Sequence, residues 1–211
     1  RLNLIDGLLT ASVTACLLSL REFARRRERG ERGLLWISAA GVAAAAGTLA
    51  KGLVGLVLPG LIFVVWALLT RRPRLLRDAL LSPAPWIFLA ITAPWFIAME
   101  RANTGFLEFF FVREHFERFT EGAKRSQTIF YFVPVLLAGF FPWVFFLPKA
   151  ARSLSPFSLA RLRQHSDTAF FLIWAASVFL FFSLSRSKLI PYLLPAFPAL
   201  AVVTAQSLVS R

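Results

Sequence analysis

The sequence predicts an all-α membrane protein, a bundle of about seven transmembrane helices, and three observations support this class. Of its 211 residues, 57% are apolar and 15% are aromatic, and the mean hydropathy is +0.66. Apolar runs long enough to cross a bilayer recur along the whole chain. Cysteine occurs once, as Cys16 inside the first of these runs, so no disulfide framework is expected.

Seven apolar segments are separated by polar connections, and each is expected to form a helix. They cover residues 4–20, 33–50, 53–69, 80–98, 128–147, 169–183 and 189–209. The second segment is rich in alanine and glycine, which permits close packing against a neighbouring helix. In the seventh, Pro191, Pro195 and Pro198 interrupt the first turns, so we expect neighbouring helices or a water-lined cavity to satisfy the freed carbonyls.

The connections differ in charge, and this difference predicts the orientation. The connections after the first, third and fifth segments, together with Arg211, hold 15 of the 24 Lys and Arg residues. By the positive-inside rule this side is cytoplasmic, and the N-terminus, Lys51, residues 99–127 and Lys188 face outward. Most of the net charge of +13 then lies on the cytoplasmic side, where it sets the orientation of the chain. The basic run Arg25–Arg27 is explained by orientation and anionic lipid, so nucleic acid is not an expected partner.

Residues 99–127 form the longest outer connection, which we predict to be a separate outer-face loop containing an interfacial helix. Phe109, Val112, Phe116 and Phe119 recur at helical spacing, while charged residues lie between them. Four of those polar residues are candidates for a site: Arg113, Glu114, His115 and Arg118. The alternative is a surface helix whose Glu and Arg side chains merely pair with each other.

Four further residues are unusual for their position near the ends of apolar segments. Asp6 is an acid one turn from the outer end of the first segment, and a carboxylate in a membrane is a functional candidate because burying it unpaired is costly. Lys51 follows the alanine-rich segment, and Arg186 and Lys188 precede the seventh. Lys51 could simply mark a turn, and the other two could be interfacial anchors.

The predicted orientation brings these charged groups to one membrane face. Cations beside a carboxylate suit group transfer from a lipid phosphate, since the cations bind the phosphate and the acid handles a proton. Two other classes stay open. One is a secondary transporter or flippase of an anionic or lipid-linked substrate, which should show midplane charges and an inverted repeat. The other is a non-catalytic assembly subunit, which would not need the outer-face charges.

Three stretches carry a family resemblance: AKGLVGLVLPG, FFFVREHFERF and SKLIPYLLPAFPAL. In this order, with spans between them, they resemble the bacterial protein O-mannosyltransferase-like family, which includes the lipid A aminoarabinose transferases. The resemblance extends over nearly the whole chain. It implies a GT-C fold and a transmembrane glycosyltransferase in the bacterial inner membrane. Such an enzyme moves a sugar from a polyprenyl-phosphate donor to a lipid, protein or glycan acceptor at the outer face.

The resemblance also implies roles for individual residues. Asp6 matches the second active-site carboxylate of the family, and Lys51, Arg118 and Lys188 match basic positions suited to the donor phosphate. His115 matches a histidine that helps hold a divalent metal in some members. Tyr192 belongs to the third matching stretch and is a further outer-face candidate. No nucleotide cofactor is expected, because the sequence contains no glycine-rich phosphate loop.

The chain departs from the family pattern in three respects. Leu53 stands where the family often has proline, and Pro191 is shifted by one residue. The principal catalytic aspartate of the family lies in a first outer loop, after a first span, and neither has a counterpart here. We therefore expect an internal segment of a longer enzyme, and we expect this segment to be inactive alone.

Overall fold

The computed structural model describes residues 2–112, 128–152, 159–185 and 188–209, and within these ranges the regular structure is helical. The first half contains α1 (Leu2–Glu28), α2 (Leu34–Lys51), α3 (Val54–Leu69), α4 (Arg74–Leu80), α5 (Ala84–Ala102) and α6 (Phe106–Glu108). The second half contains α7 (Phe132–Gly139), α8 (Leu147–Arg152), α9 (Leu159–Gln164), α10 (Ser166–Leu184) and α11 (Phe197–Val209). Three 3₁₀ segments complete it, at Ile129–Tyr131, Trp143–Phe146 and Ile190–Ala196.

Four of the described helices are long and apolar enough to cross a membrane, and up to six spans result if each of two bent helix pairs counts as one. The bent pairs are α4 with α5 and the helical segments on either side of residues 140–142. The shorter apolar helix α3 coincides with the predicted third segment to within one residue. The expectation of an all-α membrane bundle is confirmed.

The first connection differs from its prediction, because α1 continues through the basic stretch to Glu28. Two features extend it. Glu22 pairs with Arg26 one turn later, at 3.2 Å between Oε1 and Nε. Phe23 and Ala24 are buried, so the helix gains apolar packing beyond the span. Only residues 29–33 remain as the connection to α2.

The fifth predicted segment is wrong as a single straight helix. The chain bends by 104° between Ile129–Gly139 and Trp143–Lys149. Pro142 lies at this break, and proline lacks the N–H group that would continue a helical ladder. The segment is therefore a broken span or a re-entrant loop, two structures that the apolar composition alone does not distinguish.

The seventh segment behaves as its prolines predicted. A 3₁₀ turn, Ile190–Ala196, precedes α11 in place of regular α-helix. The buried indole of Trp174 on α10 donates its Nε1–H to the carbonyl oxygen of Pro195 at 2.8 Å. A neighbouring helix thus satisfies one carbonyl of the irregular turn, as backbone in a membrane requires.

The core lies where α1, α3, α10 and the turn before α11 meet. Large buried side chains fill it, among them Leu17, Trp66, Phe170 and Trp174. Trp66 and Phe170 meet edge to face, with ring centroids 5.4 Å apart. This packing joins the N-terminal helices to the C-terminal ones and fixes the ends of α1 and α2 relative to the turn Ile190–Ala196.

The predicted interfacial helix is described only as far as Val112. Phe106 and Phe110 stack on each other, with centroids 5.5 Å apart, and both contact aromatic side chains in the C-terminal half of α5. Phe109 and Val112 are exposed, as expected of a lipid-facing stripe. The remainder of the segment lies outside the described residues, so the interfacial helix and the outer-loop domain 99–127 stay predictions.

Candidate functional site

A partly buried ion pair joins the beginning of α1 to the end of α2. The Nζ of Lys51 contacts Oδ1 of Asp6, and Asp6 is only 5% exposed. The Lys51 side chain keeps 23% of its surface accessible. Two of the candidate residues from the sequence therefore contact each other, although 45 positions separate them. Pairing offsets part of the desolvation free energy that either charge would cost if it were buried alone.

Glycines on α2 and α3 determine where Lys51 lies. A Cβ on Gly55 would come within 2.2 Å of the backbone carbon of Gly47, so the two helices touch backbone to backbone. Gly52 follows Lys51 with φ of 88°, a positive value that glycine adopts without strain, and it ends α2 where the chain reverses. The tight hairpin holds Lys51 at its tip.

Tyr192 forms a third wall of the site. Its ring centroid lies 4.5 Å from the Nζ of Lys51, which is cation–π geometry. Tyr192 belongs to the 3₁₀ turn before α11, and its ring also meets that of Phe182 at 5.1 Å between centroids. The three residues Asp6, Lys51 and Tyr192 therefore come from three separate segments, and the ammonium group lies between a carboxylate and an aromatic face.

Lys188 is buried, with 8% of its surface exposed, near the same end of the bundle. Its Nζ donates to the carbonyl oxygen of Ser185 at 2.5 Å. Ser185 is the C-cap residue of α10, where a cation is stabilised by the helix dipole. This contact gives Lys188 a structural role that the sequence did not predict, alongside its expected contact with a donor phosphate.

The other sequence candidates lie outside the described residues. These are Arg113, Glu114, His115, Arg118 and Arg186. Their convergence on Lys51 stays a prediction. Glu100, which the predicted orientation also places at the outer face, is described, and its two carboxylate oxygens accept the N–H groups of Gly105 and Leu107 at 2.9 and 2.8 Å. These bonds fix the turn after α5.

The geometry defines what the pair can do chemically. An ammonium group has three N–H donors, and the contacts with Asp6 and Tyr192 leave part of the Lys51 head accessible. The carboxylate is the counter-ion of the Lys51 ammonium group in a site where water is scarce. The result is a fixed, charged donor suited to an anionic oxygen such as that of a phosphate.

Within the described ranges, no group of three or more His, Cys, Asp and Glu side chains could hold a metal ion. Asp6 is engaged by Lys51, and His115 is not among the residues described. The described residues therefore do not supply a divalent-metal site, and the expected metal at His115 stays a prediction.

One polar cluster was not predicted. At the opposite end of the bundle, Arg21 and Arg72 approach the ring of the buried Trp66, and Arg21 pairs with Asp167. The sequence signal was a basic residue at the end of the first apolar segment. The positive-inside rule explained Arg21 as an exposed cytoplasmic charge, and the burial of its side chain was therefore not predicted.

Comparison with known proteins gives consistent results. The family model of dolichyl-phosphate-mannose-protein mannosyltransferases matches residues 1–118. An undecaprenyl phosphate-alpha-4-amino-4-deoxy-L-arabinose arabinosyl transferase of Proteus mirabilis is 34% identical over 96% of this chain. The corresponding transferase of Pectobacterium atrosepticum is 32% identical over the same share. The chain spans 36% of the length of each relative.

Solved structures agree with the fold. The crystal structure of ArnT from Cupriavidus metallidurans bound to undecaprenyl phosphate matches with a TM-score of 0.82 and 35% identity. The match covers 98% of this chain and 37% of that one, and the apo crystal structure gives a TM-score of 0.79. The expected GT-C membrane fold is confirmed. Since the family model covers more than half of the sequence, this multi-pass membrane chain belongs to the dolichyl-phosphate-mannose-protein mannosyltransferase family.

Proposed function

We propose that this chain is part of an inner-membrane glycosyltransferase that moves a sugar from a polyprenyl-phosphate donor to an acceptor, with its site at the outer face. The observation that carries the proposal is the Lys51 ammonium group held between Asp6 and Tyr192. The names of the relatives support it, since the matched proteins of Proteus and Pectobacterium are undecaprenyl-phosphate-linked sugar transferases. The matched crystal structure contains undecaprenyl phosphate.

In this proposal Lys51 binds the donor phosphate, together with Arg118 and Lys188. The bond between the anomeric carbon and the phosphate oxygen breaks, and the electron pair leaves with the polyprenyl phosphate. A fixed ammonium group beside that oxygen stabilises the developing charge. The acceptor oxygen forms the new bond to the anomeric carbon, and its proton passes to a base.

Asp6 has two connected tasks in this scheme. Before the donor binds, its carboxylate orients the Lys51 side chain. A donor phosphate competes with Asp6 for the ammonium group, so the carboxylate becomes a better proton acceptor as the donor binds. Asp6 thus retains the active-site role that the resemblance assigned to it, and the ion pair is the resting state of that group.

The acceptor is a lipid, with lipid A as the first candidate. Lipid A is the acceptor expected from the aminoarabinose transferases to which the chain is similar. A protein acceptor is the alternative that the family description favours, since that description names protein mannosyltransferases. The transferases reported above give no support to a secondary transporter.

The test is sugar transfer by the full-length protein with purified undecaprenyl-phosphate-linked aminoarabinose as donor and lipid A as acceptor. Lys51→Met should lower transfer by roughly ten- to a hundredfold, the effect of losing a hydrogen bond to a charged group. Arg101→Gln removes one charge from an exposed position at the end of α5 and should leave transfer unchanged. Equal rates for the two variants would contradict the proposed role of Lys51.

A further inference from the structure

A polar cavity of about 700 Å³ lies at the end of the bundle opposite the Asp6–Lys51 pair. The C-terminal part of α1, the connection after α3, the end of α9 and the beginning of α10 line it. Its walls carry five arginines and two carboxylates: Arg21, Arg25, Arg29, Arg72, Arg163, Glu28 and Asp167. The loop charges predict that this end faces the cytoplasm. The proposed transfer reaction does not use it.

The fully buried ring of Trp66 holds two of these arginines in place. The guanidinium carbon of Arg21 lies 5.1 Å from the ring centroid, and that of Arg72 lies 5.6 Å from it. The indole Nε1–H in turn donates to the carbonyl oxygen of Ser166 at 3.1 Å. Aromatic contact reduces the freedom of both side chains, so little entropy is lost when they bind a ligand.

The carboxylates do not balance the arginines. Asp167 forms ion pairs with both Arg21 and Arg25, and its Oδ2 lies 2.7 Å from Nη2 of Arg25. Glu28 pairs with Arg72 at 2.5 Å. Among the described residues, no carboxylate lies within ion-pair distance of the two remaining cavity arginines, Arg29 and Arg163. The cavity thus keeps an excess of positive charge.

Two arginines, Arg21 and Arg163, also have buried N–H donors that no described atom accepts. Arg21 is only 6% exposed, yet its Nε and Nη1 lack a hydrogen-bond partner within the described ranges. The same holds for the buried Nε of Arg163. An unsatisfied buried donor is costly, whereas a bound anion would accept from it. Orientation alone explains exposed arginines in a cytoplasmic loop but does not explain these buried ones.

The first turn of α10 adds to the attraction of the cavity for an anion. This helix of 19 residues begins at Ser166, and the positive end of its dipole faces the cavity. Phosphate oxygens accept from both guanidinium groups and helix N-terminal amides. We propose that this cavity binds a phosphate ester, the chemistry shared by the headgroup of an anionic membrane lipid and by a soluble phosphate ester.

Binding can be measured on the full-length protein by native mass spectrometry, with phosphatidylglycerol and phosphatidylcholine as the lipid probes. The test variant is Arg29→Gln combined with Arg163→Gln, which removes the two arginines without a carboxylate partner and breaks no described ion pair. The matched control is Arg32→Gln combined with Arg74→Gln. Both control residues are exposed, lie at the same end and do not line the cavity.

The wild type should retain phosphatidylglycerol at least tenfold better than phosphatidylcholine. The test variant should lose about tenfold in phosphatidylglycerol affinity, since each lost contact is a charge-assisted hydrogen bond. The control should stay within about twofold, because screened surface charges contribute little. Thermal unfolding of both variants in phosphatidylcholine checks that they are folded. If the charge at position 163 binds the lipid, Arg29→Gln combined with Arg163→Lys should bind phosphatidylglycerol more tightly than the test variant does.

A competition experiment distinguishes a lipid headgroup from a soluble phosphate ester as the ligand of the cavity. Glycerol 3-phosphate and inorganic phosphate are added at millimolar concentration to the protein carrying phosphatidylglycerol. Displacement in the wild type with no effect in the test variant would identify a soluble phosphate ester as the ligand. Retention of the lipid would identify the headgroup. An equal loss of affinity in test and control variants, or no preference for either probe, would overturn the proposal.

Discussion

Lys51 at the end of α2 forms an ion pair with the buried Asp6 at the beginning of α1. The pair links the two helices at the membrane face where the family resemblance places the donor site. Because Asp6 is almost fully buried, its carboxylate depends on Lys51 as its counter-ion. The same contact is therefore structural in the resting protein and central to the proposed chemistry.

The first prediction concerns the energetic coupling within this pair. Lys51→Met should destabilise the protein by about 2–4 kcal/mol, because it leaves the buried Asp6 carboxylate without its partner. Asp6→Leu should cost less, because the Lys51 side chain keeps 23% of its surface accessible. The double variant should cost about 1–3 kcal/mol less than the sum of the single effects. Thermal unfolding of the full-length protein in one detergent, compared for all four proteins, measures the coupling. Additive effects would show that the two charges do not interact.

The second prediction concerns the aromatic wall of the site. Tyr192→Leu removes the ring that covers the Lys51 ammonium group, and a cation–π contact contributes about 0.5–2 kcal/mol. We expect the KM for the polyprenyl-phosphate donor to rise by roughly two- to thirtyfold. Tyr192→Phe keeps the ring and should remain within a factor of two. If Phe were as harmful as Leu, the hydroxyl group and not the ring would be the functional part.

The sequence predicted that Asp6 and Lys51 lie at the same membrane face but did not predict their ion pair. Loop charges determine which end of a helix faces which side, whereas a contact also requires knowing which helices are neighbours and how each is rotated. The backbone approach of Gly47 to Gly55 supplies that information, and it appears only in three dimensions. The glycines were visible in the sequence, but their partners were not.

Breaks in the helices were predicted at one of two proline-containing positions. Pro191 and Pro195 indicated the irregular turn before α11, since proline removes a backbone donor wherever it occurs. The 104° bend near Pro142 was missed, because the apolar run continues on both sides of it. The extension of α1 to Glu28 was missed for the opposite reason. Its charges indicated a loop, while Phe23 and Ala24 found apolar partners elsewhere in the fold.

The third prediction tests the helix contact that positions Lys51. Gly55→Ala forces a methyl group against the backbone of α2 and should destabilise the protein by about 1–3 kcal/mol or more. Gly60→Ala is the matched control on the same helix, since a Cβ there meets nothing within 4 Å. That change should be neutral or stabilise by up to about 1 kcal/mol. Thermal unfolding would contradict the close approach if both variants behaved alike.

The fourth prediction concerns orientation, on which the placement of both sites depends. Cysteines can be introduced at Arg32 and at Thr104, two exposed positions at opposite ends of the bundle, in a background where Cys16 is replaced by alanine. Since 15 of the 24 basic residues lie on the Arg32 side, that side should be cytoplasmic. In intact cells, a membrane-impermeant maleimide should therefore label the cysteine at 104 and leave the cysteine at 32 unmodified. After the cells are opened, both should react, which controls for accessibility. Labelling at 32 in intact cells would place the Asp6–Lys51 pair on the cytoplasmic side and would exclude transfer at the outer face by these residues.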